Sequence, residues 1–462
     1  MLGAIDIGTH KFSDSASLAG DTLNKLGCSQ ATQYFEEKNR IAVRKPYLHS
    51  VNKDELKPIA YSDVFDLIRP QMAALGSIYL HYPFCTKSCA FCHYYKVRAK
   101  SDELSQSFPA KLVAELDLLL EAMELNEISS DTIHFGGGTP SLLQRDAWMK
   151  FVDDLRRRIN FASACEIAIE VDPADLNEEN LTFWLMSGIN RVSLGVQSFQ
   201  NTILRQLQRD HNGQDAIRAV RLLQNAVVPN INVDLMYGMP GWTFDDWVRD
   251  VETVTALKPN SITCYGTRSD PVHSARKAAN FPSATQRILA HQYAIQTILD
   301  HGYYQYSPNQ FVRDYSGACF AKNNRNRCEA ILGLGPRAHS IFEGVFYESA
   351  MGVEAYQTTL KAGRLPDLKA AFVDSGKEKV RFVQFGLKLS GLGKPKSDNG
   401  VDDRAYRLRF GSSLLEDFSE IISELTAEGL IKEVESDFVN LTHLGVLFAD
   451  EVVKRFAVGS TQ

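Results

Sequence analysis

Three thiols stand close together in the run Tyr79-Leu-His-Tyr-Pro-Phe-Cys85-Thr-Lys-Ser-Cys89-Ala-Phe-Cys92, separated by three and then two residues. Three thiolates on one short loop can ligate a [4Fe–4S] cluster and leave its fourth iron without a protein ligand. An open iron of that kind can chelate the amine and carboxylate of a small molecule and pass it an electron. Structural zinc usually takes two Cys/His pairs, and no second pair with such spacing exists in the chain. The remaining cysteines, Cys28, Cys165, Cys264, Cys319 and Cys328, are scattered singly and read as free thiols of a reducing compartment.

A cluster loop needs rigid elements behind it. Between residues 77 and 266 apolar, β-branched runs alternate with longer amphipathic segments, the signature of repeated βα units on a parallel sheet. Six strands are expected: Ser77 to Tyr82, Thr132 to Phe135, Glu166 to Val171, Arg191 to Val196, Asn232 to Tyr237 and Ser261 to Tyr265. Ser107 to Ala122, with apolar residues three and four apart, reads as one of the helices outside the sheet. The expected fold class is α/β, a partial (β/α)6 TIM-like barrel carrying a C-terminal winged-helix-like α+β module. Its expected division is 1–76, an N-terminal extension or lid; 77–372, the catalytic barrel; and 373–462, the module. The module's helices carry Glu416, Asp417, Glu420, Glu424 and Glu428, so docking or substrate covering is expected of it rather than DNA binding.

The cysteine spacing, with Phe91 just before the last thiol, resembles that of the radical S-adenosylmethionine (SAM) superfamily. The other notable residues fall just after strands, at the carboxyl edge where parallel α/β folds place their sites. Gly136-Gly-Gly-Thr139-Pro140 could let a ligand approach the backbone closely. Glu170, Gln197 and Asp234 suit ribose hydroxyls and an ammonium group, and Arg209 offers a fork for the methionine carboxylate. Each could instead form a strand-end salt bridge or cap.

Composition narrows the classes. The 462 residues are 44% hydrophobic and 23% charged, with a formal net charge of -6, so no general field favours nucleic acid or an anionic membrane. No run approaches the ~18 apolar residues of a membrane helix, and the first ten residues lack the basic start and apolar core of a signal peptide. A cytoplasmic protein is expected.

Phe135-Gly-Gly-Gly-Thr-Pro140, Ile169-Glu-Val-Asp-Pro173, Arg191-Val-Ser-Leu-Gly-Val-Gln-Ser-Phe199, Arg209-Asp-His211 and Asp234-Leu-Met-Tyr-Gly-Met-Pro240, together with the cysteine run, resemble the oxygen-independent coproporphyrinogen III dehydrogenase family of radical SAM proteins. The resemblance implies a [4Fe–4S] cluster on Cys85, Cys89 and Cys92, and a SAM contacted by Tyr79, Gly137, Gly138, Thr139, Glu170, Gln197, Arg209 and Asp234. It also implies a second SAM, with Met236 and the Gly335 to His339 turn as candidate contacts.

Departures from the family pattern set the expected branch. The porphyrinogen dehydrogenase carries a further cysteine two residues after the trio, where this chain has Tyr94. The haem-chaperone branch starts almost at the cluster motif and carries His-Asn-x-x-Tyr-Trp before its glycine turn; here 84 residues precede Cys85 and the stretch reads Lys322-Asn-Asn-Arg-Asn-Arg-Cys-Glu329. The N-terminal extension and the Gly-x-Gly-x-x-Ala-His turn resemble the class C radical SAM methyltransferase and cyclopropanase branch. That resemblance implies methyl or methylene transfer from the second SAM to an sp² carbon of a natural-product or aromatic heterocyclic substrate, with Tyr265, His339 or Glu329 as acid or base. Tetrapyrrole chemistry and non-catalytic haem trafficking are the alternatives. An electron donor such as flavodoxin or ferredoxin is the expected protein partner.

Overall fold

The fold, given by a computed structural model, is described for residues 51, 55–99, 101–267, 281–314, 317–394, 399–432 and 437–458. Six strands form its centre: β1 (Ser77–Tyr82), β2 (Ile128–Gly137), β3 (Ile159–Val171), β4 (Arg191–Gln197), β5 (Asn230–Tyr237) and β6 (Ser261–Gly266). They lie side by side in chain order and all run parallel. The six expected strands are therefore present. β2 starts four residues before the expected Thr132, because Ser129, Ser130 and Asp131 hide a strand that continues through a register shift between Ser130 and Thr132.

Within these strands side chains alternate between two faces, as the two-residue period of a strand requires. Ile78, Leu80, Ile133, Phe135, Ile169, Val192, Leu194, Val233 and Ile262 enter the main core, against helices such as α1 (Pro109–Ala122). The helix begins at Pro109, a residue suited to a first turn that needs no N–H, and it buries Leu112, Val113, Leu116, Leu119 and Leu120. The opposite face is polar: Tyr79, His134, Glu170, Ser193, Asn232, Asp234 and Thr263 share it. There Asn232 Oδ1 accepts from Ser261 Oγ and Thr263 Oγ1, both at 2.9 Å.

Further strands extend both ends of the array into a 13-stranded sheet; Ile331–Leu334 joins β1 in parallel and the others pair antiparallel. The hairpin Tyr304–Ser307/Gln310–Val312 continues it beyond β6. Beyond β1 come Ile331–Leu334, His339–Phe342, Val345–Ser349 and Leu368–Phe372, and Lys57–Ile59 closes the edge. From residue 55 onward the N-terminal segment thus belongs to the main sheet, and its Tyr61, Val64, Ile68 and Met72 lie in the main core. Residues 1–50 of that segment lie outside the described residues.

Helix α2 (Phe320–Asn326) bridges the two sides of the parallel array. At its β6 side the Lys322 ammonium donates to Ser307 Oγ (3.1 Å) and Asn309 Oδ1 (2.8 Å). At its β1 side Asn324 Nδ2 donates to the carbonyl of Gly76. Just ahead of it, the carbonyls of Gly317 and Ala318 accept from the buried Arg191 guanidinium at 3.1 and 3.2 Å. Arg191 opens β4 and faces Glu166 at 4.0 Å, so this segment forms the floor of the polar lumen.

The last part of the chain has its own core, built from Val383, Leu387, Tyr406, Leu425, Val452 and Phe456. It combines helices, among them α4 (Ser375–Leu387) that follows α3 (Val353–Lys361), with the two-stranded pairing Val401–Asp402/Phe438–Val439. Ile431 and Leu441 form an isolated bridge, and residues 433–436 lie outside the described residues. Asp417, Glu424 and Glu428 have cationic partners in Lys379 and Arg455.

One buried carboxyl ties the sheet's flank to its helices. Glu115 on α1 accepts from Tyr356 Oη of α3 (2.6 Å), from the Gly335 N–H (2.8 Å) and from Tyr61 Oη (3.4 Å). Burial pushes it up to about 7 despite these donors. A carboxyl raised in the folded state favours folding fully below its unfolded pKa, and this advantage is lost as pH rises toward the folded value. Stability should therefore fall between roughly pH 4.5 and 7 and level off above. Glu115→Gln, which keeps an acceptor, should remove about 2 kcal/mol of that fall; urea unfolding at pH 5 and pH 8 checks it.

Candidate active site at the carboxyl edge

The cluster loop leaves the end of β1 and is pressed onto the end of β2. Gly138 N donates to Tyr82 O (2.6 Å) and Thr139 N to Phe84 O (2.9 Å). A Cβ on Gly138 would stand 2.5 Å from Phe84 O, and one on Gly137, whose φ is +108°, 2.7 Å from the His81 ring. These glycines thus answer first to the approach of two protein segments, not to the ligand approach expected from the sequence.

Cys85, Cys89 and Cys92 are unbridged, and Cys85 is buried. Two of the thiols have donors: Thr139 Oγ1 lies 3.3 Å from Cys85 Sγ, and Arg209 Nη1 lies 3.4 Å from Cys89 Sγ. Donors to sulfur are a feature of iron–sulfur ligation. Among the described residues no three His, Cys, Asp or Glu side chains close on a single metal ion.

Arg209 is the anchor of the edge. Its Nη2 donates to Gly195 O (2.7 Å) and pairs with Asp172 Oδ2 (2.9 Å). Burial opposes its charge, but Asp172 and Cys89 outweigh it and hold the guanidinium charged. Its Nε is buried without a hydrogen-bond partner among the described residues, which suits a ligand carboxylate. Against burial, His211 and Arg209 hold Asp172 below the usual carboxylate range. His211 reaches Asp172 Oδ1 at 3.3 Å and the Val196 carbonyl at 3.1 Å.

Glu170, at the end of β3, lies between His134 Nε2 (2.9 Å) and the Gly137 N–H (3.3 Å), yet its side chain is 44% exposed. It is placed to meet an ammonium or hydroxyl from the open side. Tyr79 Oη donates to His81 Nδ1 (3.1 Å), since Nε2 of that ring faces the Tyr95 carbonyl at 3.0 Å. Burial pushes His81 down to about 4 and leaves it neutral. Gln197 ends β4 with φ +69°, a backbone conformation that non-glycine residues hold at a cost and that often marks a site.

Deeper in the lumen, Asp234 accepts from Asn232 Nδ2 at 2.8 Å, and burial pushes it up to about 6. Tyr265, at the end of β6, and Tyr94, two residues past Cys92, are 40% and 60% exposed. Burial nonetheless raises both phenols, and the charges of Asp234 and Glu170 act on both. They line the open lumen. Tyr265 lies two residues along β6 from Thr263, the residue that pairs with Asp234.

The other two acid or base candidates fare differently. Glu329 precedes Ile331–Leu334 at the amino end of the sheet, in a cleft with Gly76, Ser129, Asp131 and Ala330. It is at the wrong end of the strands and is set aside. His339 stacks on Phe346 (ring centroids 5.5 Å apart) and sits 3.6 Å from Glu348, on the flank beyond β1.

The candidate second-SAM residues do not converge either. Met236 pairs with Tyr265 on the β5–β6 side, while a Cβ on Gly335 would stand 2.7 Å from His81 O. That turn is filled by protein. Sequence reasoning missed His134, Asp172 and His211 as supports, Tyr94 as a lining residue, and α2 as a wall. The alternating polar positions within β2 to β6 were the available signal for the lining.

Residues 79–254 match the Radical SAM superfamily, a family that implies a [4Fe–4S] cluster and SAM. Relatives of the chain include proteins named for haem and for coproporphyrinogen. It is 26% identical over 390 residues to the heme chaperone HemW of Bacillus subtilis, covering 83% of this chain and 99% of that one. With the oxygen-independent coproporphyrinogen III oxidase of Paracoccus denitrificans it shares 26% over 331 residues, 68% of this chain and 73% of the other. A higher identity, 34% over 195 residues, links it to the heme chaperone HemW of Buchnera aphidicola from Schizaphis graminum, covering 42% of this chain and about half, 51%, of that one. The fold matches coproporphyrinogen III oxidase (HemN) of Escherichia coli with a TM-score of 0.75 at 20% identity, over 89% of this chain and 97% of that one.

These findings overturn the expected class C branch: none of these relatives carries a methyltransferase name, and the turn that suggested it packs on protein. No helix among the described residues is long and apolar enough to cross a membrane.

The glycine contact at the cluster loop can be tested directly. Gly138→Ala should cut iron retained after anaerobic reconstitution at least twofold, because the loop must move off β2. Iron analysis alongside circular dichroism checks this, and Cys89→Ala sets the level for a lost ligand.

Proposed function

We propose that this protein is a radical SAM enzyme that modifies a tetrapyrrole without oxygen. The observation that carries the reading is the shared tetrapyrrole in the names of relatives that span two thirds or more of the chain, haem in one and coproporphyrinogen in the other. Modification is favoured over carriage by the lumen wall: α2 offers Lys322 and Arg325 where the chaperone pattern has its histidine, so an axial ligand for haem iron is missing from that segment.

When bound, the cluster supplies the electron that cleaves SAM to a carbon radical able to take a hydrogen atom. Cys85, Cys89 and Cys92 would hold it, and Arg209 would bind the SAM carboxylate while fixing the loop. Glu170 would meet the amine or ribose, with Gln197 beside it. Tyr94, Tyr265 and Asp234 line the space in which a substrate carbon must come within reach. Asp234, pushed to about 6, can hold or release a proton near neutral pH. The reading needs one SAM, and a low-potential carrier such as flavodoxin or ferredoxin is the proposed reductant.

The test is anaerobic turnover with SAM, a chemical reductant and coproporphyrinogen III or haem. At least one tetrapyrrole should raise deoxyadenosine formation tenfold or more over the substrate-free rate, as liquid chromatography would measure, and release of carbon dioxide would mark side-chain decarboxylation. Deoxyadenosine formation indifferent to both tetrapyrroles, with no binding of either, would overturn the reading.

A further inference from the structure

We infer that the Lys322–Arg325 face of α2 is a carboxylate-binding subsite that takes an acidic side chain of the substrate inside the lumen. This deepens the tetrapyrrole reading and rests on it.

Three observations place a binding site there. Two of the three N–H groups of the Lys322 ammonium are taken, by Ser307 Oγ at 3.1 Å and Asn309 Oδ1 at 2.8 Å. Both acceptors are neutral, so they aim the ammonium without cancelling its charge. Arg325, one turn further along α2, is exposed and its guanidinium has no ion pair or hydrogen bond among the described residues. Its charge acts on both Lys322 and the Tyr94 phenol.

The charges around Lys322 are unbalanced. Burial and then the Arg325 charge push the ammonium down to about 7, with Arg191 adding to the effect, while Cys319 and Asp234 oppose it. Arg191 spends its guanidinium on the floor carbonyls and on Glu166. An ammonium held by two neutral acceptors and an exposed guanidinium one turn away on the same short helix offer a carboxylate two cationic donors. A tetrapyrrole bearing propionate side chains presents carboxylates on a planar ring.

The subsite lies below the rim. Glu170 and Arg209, set for SAM, occupy the carboxyl edge above it, so a ring anchored by one carboxylate at α2 would extend upward past Tyr94 and Tyr265.

Porphyrin fluorescence titration of the anaerobically reconstituted full chain tests the inference. The probes are coproporphyrin III, with four carboxylates, and its tetramethyl ester, which keeps the ring without the charges. Wild type should bind the free acid at least tenfold tighter than the ester. Lys322→Met with Arg325→Gln should erase that preference by weakening the acid and not the ester, and Lys322→Arg should keep it. Should the double variant fold poorly by its thermal midpoint, the solvent-exposed Arg325→Glu alone should weaken the acid at least fivefold. Equal binding of the acid by wild type and variants would overturn the subsite and leave the tetrapyrrole reading standing. Failure of wild type to bind either probe or haem would sink that reading and the subsite together.

Discussion

A cation buried beside thiols must be paired, or its desolvation would undo the fold around it. Arg209 meets that constraint by joining three segments far apart in the chain: the cluster loop through Cys89, the end of β3 through Asp172, and the β4 backbone through the Gly195 carbonyl. Asp172 in turn is held by His211, whose second nitrogen rests on Val196 O. Any shift of the loop relative to the strands would pull an arm of this assembly apart. The glycine contacts at Gly137 and Gly138 set how closely the loop can lie on β2, and the Arg209 assembly sets where along the edge it stops.

Much of this edge was legible because it obeys local rules. Strand runs end where their apolar alternation ends, and the residues just past them fall at one rim by the geometry of a parallel array. The same reasoning explains the error over Glu329. That residue comes before a strand, Ile331–Leu334, and a parallel pairing with β1 then puts it at the opposite rim; its position relative to the strand was the signal. Tyr94 and α2 were hard to read for a different reason. They reach the lumen through loops and a short crossing helix, whose direction no periodicity encodes.

The glycine turn at residues 333–339 shows how a motif can be seen correctly and assigned to the wrong cause. A Cβ on Gly333 would lie 2.2 Å from the His339 carbonyl, and Gly335 adopts φ +108° against His81. The pattern encodes a reversal tight enough for His339–Phe342 to pair back on Ile331–Leu334, and Glu115 caps the turn from below. Its glycines are therefore required whatever the protein binds. A branch assignment resting on that turn draws on folding information rather than on chemistry, which is why the named relatives could contradict it while the fold remained as expected.

Direction of entry follows from the floor. Arg191 and Glu166 bury opposite charges beneath the lumen, and the carbonyls of Gly317 and Ala318 take up the guanidinium donors. A ligand pushing through that end would have to strip a buried cation of its partners, a cost of several kcal/mol. Entry from the carboxyl edge meets no such barrier, since Glu170, Tyr94 and Tyr265 are open to solvent there. Substrate and SAM must then share one mouth, with the cysteine loop at its rim and α2 behind it. In that arrangement the depth at which the substrate stops, set by what it meets on α2, decides which of its carbons faces the rim.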